Sequence, residues 1–275
     1  MSFKYFSKNC EVRPIEEAVI SLDRIEYSYG FGVYEAVRVS NGIVYFLDHH
    51  IERLLGSAII IGLPHPFSGE MVKNAILDLA SKTEEKTYNL KVLLIGAPKK
   101  EDALLAILCL NPFFPDKKMY HEGVSLSVTH YERLYPHAKT LNMLQSYLSY
   151  RDARAMECYD SALINRRGCI TEGTRTNFFT IKENIIYTPR EEEILLGVTR
   201  KAVLHVAKQN GYEVEEKDIR PENLAEYDGV FLTSTSSKIV PIRKVGEIEC
   251  PPAPESLKRL MKLFGEFLEE SGGFF

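Results

Sequence analysis

Hydrophobic and polar positions alternate from Val33 to Val39, in the sequence VYEAVRV, with the spacing of a β-strand. The apolar residues at positions 33, 37 and 39 share one face of this strand with Glu35. An Asn41-Gly42 turn and the apolar run IVYFL follow, and together they predict a β-hairpin.

Two stretches with helical spacing come after the hairpin. In DHHIERLLGSAIIIGL the apolar residues form one stripe, and we expect Asp48 to cap the helix and Gly62 to end it. Ser68 is expected to begin a second amphipathic helix. Strands predicted at about 89–96 and 103–110 complete a first unit of mixed helices and strands.

The segment NPFFPDKKMYHEG contains two prolines, a lysine pair and a final glycine, as is typical of a connection between domains. We therefore predict an N-terminal domain of residues 1–112, a linker of residues 113–123 and a C-terminal domain of residues 124–275. The predicted elements of the last domain are helices at about 142–158, 199–210 and 255–270, a strand in VSLSVTH, and strands near 161–165, 169–171, 178–181, 185–187, 212–218, 229–233 and 239–245. The fold class indicated is α+β.

Composition narrows the classes of function. The 275 residues carry a formal net charge of -4 without a block of like charges, which argues against nucleic-acid or membrane partners. The five cysteines are dispersed and form no CxxC pair, so we expect reduced thiols in a cytoplasm. The first residues lack the apolar core of a signal peptide, and the chain lacks an apolar run of roughly 18 residues.

Several familiar catalytic motifs are missing from the sequence. It contains no GxSxG, Walker or HExxH motif, and Gly30-Phe31-Gly32 lacks the third glycine of a dinucleotide-binding loop. The run from Thr235 to Lys238 resembles the SxxK motif of acylases, but it begins with threonine. Because the histidines are scattered, we expect no metal site.

Five groups of polar residues remain, each at the end of a predicted element: Arg53, Lys139, Glu172, Val198-Thr199, and Ser234-Thr235-Ser236-Ser237. Each alone has an ordinary structural explanation, as a solvated helix face, a surface lysine, a turn, an N-cap or a polar loop. Together they match the needs of pyridoxal phosphate, which takes a lysine as a Schiff base, an anion beside its pyridine nitrogen and a phosphate cradle. The sequence LLGVTR would offer backbone N–H groups at a helix N-terminus for the phosphate.

Six blocks, in order, make the match specific: YGFGVYEAVRVSNG, HIERLLGSA, KTLNML, ITEGTRTNFF, LLGVTR and VFLTSTSSKIVPI. They resemble the class IV aminotransferases, the fold type IV family of pyridoxal-phosphate enzymes, over nearly the whole chain. The resemblance implies a smaller N-terminal α/β domain, a larger C-terminal domain with a mixed, partly barrel-like sheet, and a homodimer.

The same resemblance implies a role for each polar group. Lys139 would be the Schiff-base lysine, and Glu172 would face the pyridine nitrogen. The phosphate would be held by Arg53, Val198, Thr199, Ser234 and Thr235. The substrate side would be lined by Tyr34, Ser236 and Ser237.

Two features bear on the type of substrate. Leu144 stands where bacterial branched-chain aminotransferases usually have a tyrosine, so the chain is more similar there to the D-amino-acid aminotransferases and the lyases. The sequences TSTSSKI and CYDSALINRRGCITEG are more similar to the D-amino-acid enzymes than to the lyases. Those enzymes bind the substrate carboxylate through an Arg and a His in a loop that reads APKKEDA here, without either residue. Our hypothesis is that Lys238 binds the carboxylate instead; the rival cations are Arg24, Lys99, Lys100 and Arg175.

The reaction implied is a ping-pong transamination between an amino acid, with D-amino acids favoured, and a 2-oxo acid. Three alternatives stay open. An L-branched-chain aminotransferase is favoured by Arg38 and the apolar surroundings, and an aminodeoxychorismate lyase would need no amino acceptor. A non-catalytic dimeric relative that binds a ligand would have no need of the whole set of polar residues.

Overall fold

The computed structural model describes residues 3–112 and 114–270. It divides into two compact units. The first consists of residues 3–112 with 138–143, and the second of residues 114–137 with 144–270.

The first unit is built on a six-stranded antiparallel sheet with the strand order β2-β1-β6-β5-β3-β4. The strands are β1 (Tyr5–Lys8), β2 (Glu11–Pro14), β3 (Gly32–Ser40), β4 (Ile43–Val44), β5 (Thr87–Ile95) and β6 (Leu104–Leu110). The helices are α1 (Ile25–Ser28), α2 (Leu47–Ile60) and α3 (Gly69–Ser81).

Alternation in β3 has the consequence expected from the sequence, because positions 33, 35, 37 and 39 are buried and the residues between them are half-buried. Val37 is in register with Leu90 of β5, and both side chains belong to the core of this unit. Helices α2 and α3 add their own apolar stripes to that core, through residues such as Leu54 and Ile76. One member of the buried face of β3 is a carboxylate, Glu35.

The predicted helix boundaries are partly confirmed. Ser68 caps α3 by accepting a hydrogen bond from the backbone N–H of Met71, and Gly62, with φ of 64°, takes the left-handed conformation just after α2. Asp48 was wrongly predicted as the cap of α2, because the helix already begins at Leu47. Asp48 lies in the first turn and forms an ion pair with Lys73 at 2.8 Å.

Other differences concern short strands. The hairpin of β1 and β2 was not predicted from the sequence, since each of its strands has only four residues. The second strand of the predicted Asn41-Gly42 hairpin covers only Ile43–Val44, because the chain enters α2 within a few residues.

The described part of the second unit contains nine strands and four α-helices. The strands are β7 (Val124–His130), β8 (Asp160–Ile164), β9 (Ile170–Gly173), β10 (Asn177–Lys182), β11 (Ile185–Thr188), β12 (Glu213–Glu216), β13 (Gly229–Ser234), β14 (Lys238–Val245) and β15 (Ile248–Glu249). The helices are α4 (Lys117–Glu122), α5 (Leu144–Ala155), α6 (Val198–Gln209) and α7 (Glu255–Glu270).

Six of these strands form a closed ring. Their order is β10-β13-β14-β7-β8-β9, and β9 pairs again with β10, which closes the path. The pairs of β7 with β8 and with β14 are parallel and the others are antiparallel, so the sheet is mixed. Strands β8, β10 and β13 are buried along almost their whole length, as expected for a covered barrel. The α+β class and the barrel-like sheet are therefore confirmed.

The compact units differ from the domain boundaries predicted from the sequence in two places. Residues 114–123 of the predicted linker group with the second unit, where they include the helix α4. Asp116 caps this helix by accepting a hydrogen bond from the N–H of Met119 at 2.8 Å. Residues 138–143, which the prediction placed in the C-terminal domain, group with the first unit instead. The reason is backbone pairing: the N–H of Leu141 donates to the carbonyl of Gly32 at 2.8 Å, as a further strand would.

None of the helices within residues 3–112 and 114–270 combines the length and the apolar character that a membrane crossing requires.

Candidate active site

Lys139 lies in a short segment that pairs with the beginning of β3. Thr140 forms an antiparallel bridge with Val33, and the N–H of Tyr34 donates to the carbonyl of Lys139 at 2.9 Å. The N–H of Lys139 donates in turn to Oγ of Ser57 on α2 at 3.0 Å. The backbone of the lysine is therefore held by a strand and a helix. Its Nζ lies over the ring of Tyr34, 4.6 Å from the centroid, within the range of a cation–π contact.

A buried carboxylate fixes the predicted phosphate residue Arg53. The Nε and Nη2 atoms of Arg53 donate to the two oxygens of Glu35 at 2.6 and 2.7 Å, which is a bidentate ion pair. Nδ1 of His50 lies 2.8 Å from the same carboxylate. Because a carboxylate only accepts hydrogen bonds, we assign the proton of His50 to Nδ1. Its Nε2 is buried and has no hydrogen-bond partner among the residues that the structure describes.

Burial and charge act in opposite directions on this cluster. Burial alone would raise the pKa of Glu35, but the charges of Arg53 and His50 and their hydrogen bonds outweigh it and lower that pKa. Burial lowers the pKa of His50, and the nearby positive charges of Arg53 and Lys139 add to this effect, while Glu35 opposes it. The cluster thus combines an ionised carboxylate, a guanidinium and a neutral imidazole at neutral pH.

Glu172, at the end of the barrel strand β9, is only 2 % exposed. Arg133 forms an ion pair with it, the Arg Nε donating to Oε1, and the Nη2 of Arg133 donates to the carbonyl of Thr174 at 2.9 Å. The N–H of Leu195 donates to Oε2 of Glu172 at 3.3 Å. A positive charge and a backbone dipole therefore compensate a carboxylate that burial would otherwise destabilise.

The same hairpin holds the loop that leads into α6. Asn177, which pairs with Glu172 across β9 and β10, donates from Nδ2 to the carbonyl of Leu195 at 2.7 Å. A Cβ at Gly197 would lie 2.0 Å from Oδ1 of Asn177, so only glycine fits. Gly197 is the N-cap of α6 and offers no side chain to its first N–H groups. The backbone donors at Val198 and Thr199 thus begin a helix that a bound anion could cap.

The predicted Ser/Thr group forms the turn between β13 and β14. Oγ of Ser234 lies 2.5 Å from Oγ of Ser237 and accepts from the N–H of Ser237 at 3.1 Å. The hydroxyl of Tyr120 donates to the carbonyl of Ser237 at 2.9 Å. Thr235 and Ser236 lie at the half-buried tip of the turn. Lys238 begins β14 with φ of 58°, a conformation that is uncommon outside glycine.

Within the first unit, the structure brings Lys139 and Tyr34 into contact and places Arg53 beside Glu35. The remaining predicted site residues all lie in the second unit. There, Glu172 is joined through Leu195 to the loop before α6, and the residues from 234 to 238 share one turn.

Three site residues were missed by the sequence analysis. Arg133 precedes Lys139 by six residues in RLYPHAK, and its pairing with Glu172 has no local signal because the two are 39 residues apart. Glu35 and His50 did carry a signal: the first is a carboxylate on an apolar strand face, and the second lies one helical turn from Arg53.

Among the residues that the structure describes, no three His, Cys, Asp or Glu side chains are grouped in a way that could hold a metal ion.

Comparisons with known proteins identify the family of the chain. The family model described as Amino-transferase class IV matches residues 32–245. A D-alanine aminotransferase of Bacillus licheniformis is 34% identical over 238 residues, which are 83% of this chain and 84% of that protein.

Two solved structures share the fold. The crystal structure of a branched-chain aminotransferase from Thermoproteus uzoniensis with norvaline has a TM-score of 0.87 and 26% identity, and the match covers 98% of this chain and 97% of that one. A T.th. branched-chain amino acid aminotransferase with pyridoxamine 5'-phosphate has a TM-score of 0.89 and 23% identity, covering 97% and 94%. The chain belongs to the class IV aminotransferases, enzymes that transfer amino groups and depend on pyridoxal phosphate.

Proposed function

We propose that this aminotransferase holds pyridoxal 5'-phosphate and moves an amino group from a D-amino acid to a 2-oxo acid. One observation carries the cofactor assignment. Glu172 accepts a hydrogen bond from the N–H of Leu195, three residues before α6 begins, so a buried carboxylate is linked directly to the loop that enters an uncapped helix N-terminus. A ring nitrogen that needs an anion and a phosphate that needs N–H donors would both be served there.

The donor set fits this cofactor chemically. Glycine at position 197 leaves the first turn of α6 without a side-chain cap, and Asn177 fills the space that a Cβ would take. We propose that the N–H groups of Val198 and Thr199 bind the phosphate. The hydroxyls of Ser234 and Thr235 would add neutral donors. Arg53 would add charge, and its pairing with Glu35 would keep the guanidinium in one orientation.

We propose that Lys139 is the covalent attachment point of the cofactor and the group that carries protons. When bound, the cofactor supplies an electron sink for the negative charge that develops at the substrate α-carbon. Once the amino group of the substrate takes the place of the Lys139 amine, the freed amine would accept the proton from the substrate α-carbon and later donate a proton when the second substrate reverses the steps. The backbone of Lys139 is fixed by Tyr34 and Ser57, so the amine moves only by side-chain rotation. Tyr34, Ser236 and Ser237 would line the substrate side.

The proposed order of the reaction follows from the cofactor, because the amino group would pass from the donor to one cofactor and from there to the acceptor. The amino donor leaves as a 2-oxo acid before the acceptor binds, which gives ping-pong kinetics. The preference for D-amino acids is supported by the 34% identity with a D-alanine aminotransferase and by Leu144, where a tyrosine is usual in branched-chain enzymes. Lys238, at the beginning of β14, is the cation first predicted to bind the substrate carboxylate.

A second candidate is an L-branched-chain aminotransferase. The match to the Thermoproteus uzoniensis enzyme over 98% of this chain favours it. The reaction is the same in both candidates, which differ only in the configuration at the α-carbon of the amino donor and in its side chain.

The deciding experiment follows the absorbance of the purified holoenzyme while single amino acids are added without an acceptor. Under the proposal, D-alanine converts the yellow cofactor to its amine form faster than L-leucine, L-valine or L-alanine. Faster conversion by L-leucine would establish the second candidate, and no conversion by any amino acid would contradict both. As a control, Lys139→Ala should lose the yellow colour, and borohydride reduction of the wild type should add the cofactor mass to the peptide that contains Lys139.

We also propose that the protein acts as a homodimer in the cytoplasm. All five cysteines are free thiols, as expected in a reducing compartment. Apolar side chains of the segment from Val19 to Tyr29 are exposed, Leu22 completely, and a second copy could cover them. Light scattering should give twice the mass of the 31.4 kDa chain, whereas a single-chain mass at micromolar concentration would contradict the dimer.

A further inference from the structure

The hairpin that carries Glu172 ends in a tight turn with an arginine at its tip. Glu172 and Asn177 are paired across the two strands, and the N–H of Gly173 donates to the carbonyl of Thr176 at 2.8 Å. Arg175 is the exposed residue of this turn, and its neighbours on both sides are buried. A cation is therefore placed three residues beyond the carboxylate that we propose as the partner of the cofactor ring.

A second buried carboxylate makes this turn rigid. Asp160 is 1 % exposed, and its Oδ1 accepts from the N–H of Thr174 at 3.2 Å and from the hydroxyl of Thr174 at 2.5 Å. Its Oδ2 accepts from the hydroxyl of Thr176 at 3.0 Å. Both neighbours of Arg175 are thus tied to one fixed group, and the backbone of the arginine is held between them.

The side chain of Arg175 is stacked rather than paired. Its guanidinium carbon lies 3.6 Å from the ring centroid of Tyr150 on α5, which is close contact with the ring face. No carboxylate within the described ranges, 3–112 and 114–270, forms an ion pair with it, whereas Arg133, from the segment after β7, is paired with Glu172 of this hairpin. Stacking occupies the flat face of a guanidinium and leaves the N–H donors at its edge directed outward in the plane.

The surroundings of Arg175 include a second segment of the proposed site. Burial raises the pKa of Tyr159, while a hydrogen bond to Ser237 and the positive charge of Arg175 act in the opposite direction. The charge of Arg175 therefore acts on the hydroxyl of Tyr159, and the same tyrosine forms a hydrogen bond with Ser237 in the Ser/Thr turn. Within the second unit, the tip of the Glu172 hairpin and the Ser237 turn belong to one neighbourhood.

We infer that Arg175 binds the α-carboxylate of the amino acid and of the 2-oxo acid, an inference that rests on the function proposed above. A stacked guanidinium of fixed direction offers two parallel N–H donors to a carboxylate, and the substrate supplies the negative charge that the protein does not. This supplies the clamp that the loop APKKEDA lacks.

The other candidate cations lack these features. Arg24 already donates from its guanidinium to the carbonyl of Asp102 at 2.9 Å, and Lys99 and Lys100 are exposed in the connection between β5 and β6. Lys238 offers a point charge on a flexible stem, without the rigid pair of parallel N–H donors that matches the two oxygens of a carboxylate.

The test compares Arg175→Gln with wild type and with Arg166→Gln, a matched control that removes the same charge from a side chain that is 90% exposed. One measurement is the concentration dependence of cofactor conversion by D-alanine, by L-leucine and by ethylamine, which lacks the carboxylate. The other is the rise in melting temperature caused by propionate, which binds without turnover. Arg175→Lys and Lys238→Ala complete the set.

Under the inference, Arg175→Gln raises the half-saturating concentration of the reactive amino acid roughly 10- to 100-fold, as for the loss of hydrogen bonds to a charged group. Its response to ethylamine stays within about twofold of wild type, and propionate no longer protects it. Arg175→Lys recovers part of the loss, and Arg166→Gln behaves as wild type.

Three results would overturn the inference: an unchanged response to the amino acid, an equal loss with ethylamine, or a carboxylate-specific loss in Lys238→Ala alone. A wild-type protein that converts no amino acid would contradict the proposed function instead. Protection by propionate would still report on Arg175 in that case, since it requires no reaction.

Discussion

Replacing Glu35 by glutamine tests whether this one buried carboxylate holds Arg53 and His50 in place in the unit that carries Lys139. The substitution keeps the shape of the side chain but removes the charge that Arg53 and His50 share. Glu35 accepts three hydrogen bonds of 2.6 to 2.8 Å in a site that is 1 % exposed. A glutamine amide has one oxygen to offer and would turn an NH2 group toward existing donors.

The expected cost follows from the geometry. Breaking a buried ion pair by removing one partner destabilises a protein by about 3 to 5 kcal/mol, because the other charge stays buried. Arg53 is 13% exposed, so water can reach part of its guanidinium, and we expect the lower end, about 3 kcal/mol. For a chain of this size that corresponds to a fall in melting temperature of roughly 6 to 12 °C.

The assay is urea unfolding followed by circular dichroism, with the affinity for pyridoxal phosphate measured on the same preparations. Glu52→Gln on α2 is the matched control, since Glu52 is 78% exposed and its contact with His49 at 3.7 Å is a surface pair. We expect the control to stay within about 0.5 kcal/mol of wild type. A loss below about 1 kcal/mol for Glu35→Gln, with cofactor affinity unchanged, would refute the claim that this carboxylate fixes Arg53.

Three further predictions concern other parts of the site. Because the folded-state pKa of His50 is lowered, the unfolded chain binds more protons than the folded protein below about pH 6.5. The free energy of unfolding should therefore decrease as the pH is lowered from about 6.5, by at most about 1.4 kcal/mol per pH unit. His50→Gln should reduce this dependence in urea unfolding at several pH values, and the exposed control His130→Gln should leave it unchanged. Gly197→Ala should weaken cofactor binding at least about tenfold in an absorbance titration, because a Cβ does not fit beside Asn177. The control Gly56→Ala lies on α2, where a Cβ meets no other atom, and it should raise the free energy of unfolding by about 0.5–1 kcal/mol. Glu172→Gln should retain cofactor but slow its conversion by the amino donor about 100-fold or more in stopped-flow absorbance, since the ring would lose its anionic partner; an unchanged rate would remove Glu172 from that role.

Local patterns in the sequence were enough for several features. The strand at β3, the helices α2, α3, α6 and α7, the cap at Ser68 and the stop at Gly62 depend on residues a few positions apart, so spacing and turn chemistry predict them. The six ordered blocks also indicated the family and thereby the barrel-like sheet, which the closed ring of strands confirms.

Only the tertiary structure decided which charges are paired. Arg133 and Glu172 are 39 residues apart, and Glu35 and Arg53 are 18 apart on different elements. A sequence shows that a carboxylate lies among apolar residues, but not which cation compensates it, because long-range pairing depends on how strands and helices pack.

The grouping of residues 138–143 with the first unit has the same origin. Their composition resembles any short loop, and the structure pairs their backbone with β3, where unsatisfied N–H and carbonyl groups find partners. The sequence by itself thus determined most of the longer elements and the family, and it indicated several of the chemical groups that we propose for the site. The tertiary structure determined their partners, since compensation of buried charge and backbone hydrogen bonding are decided by packing across the fold.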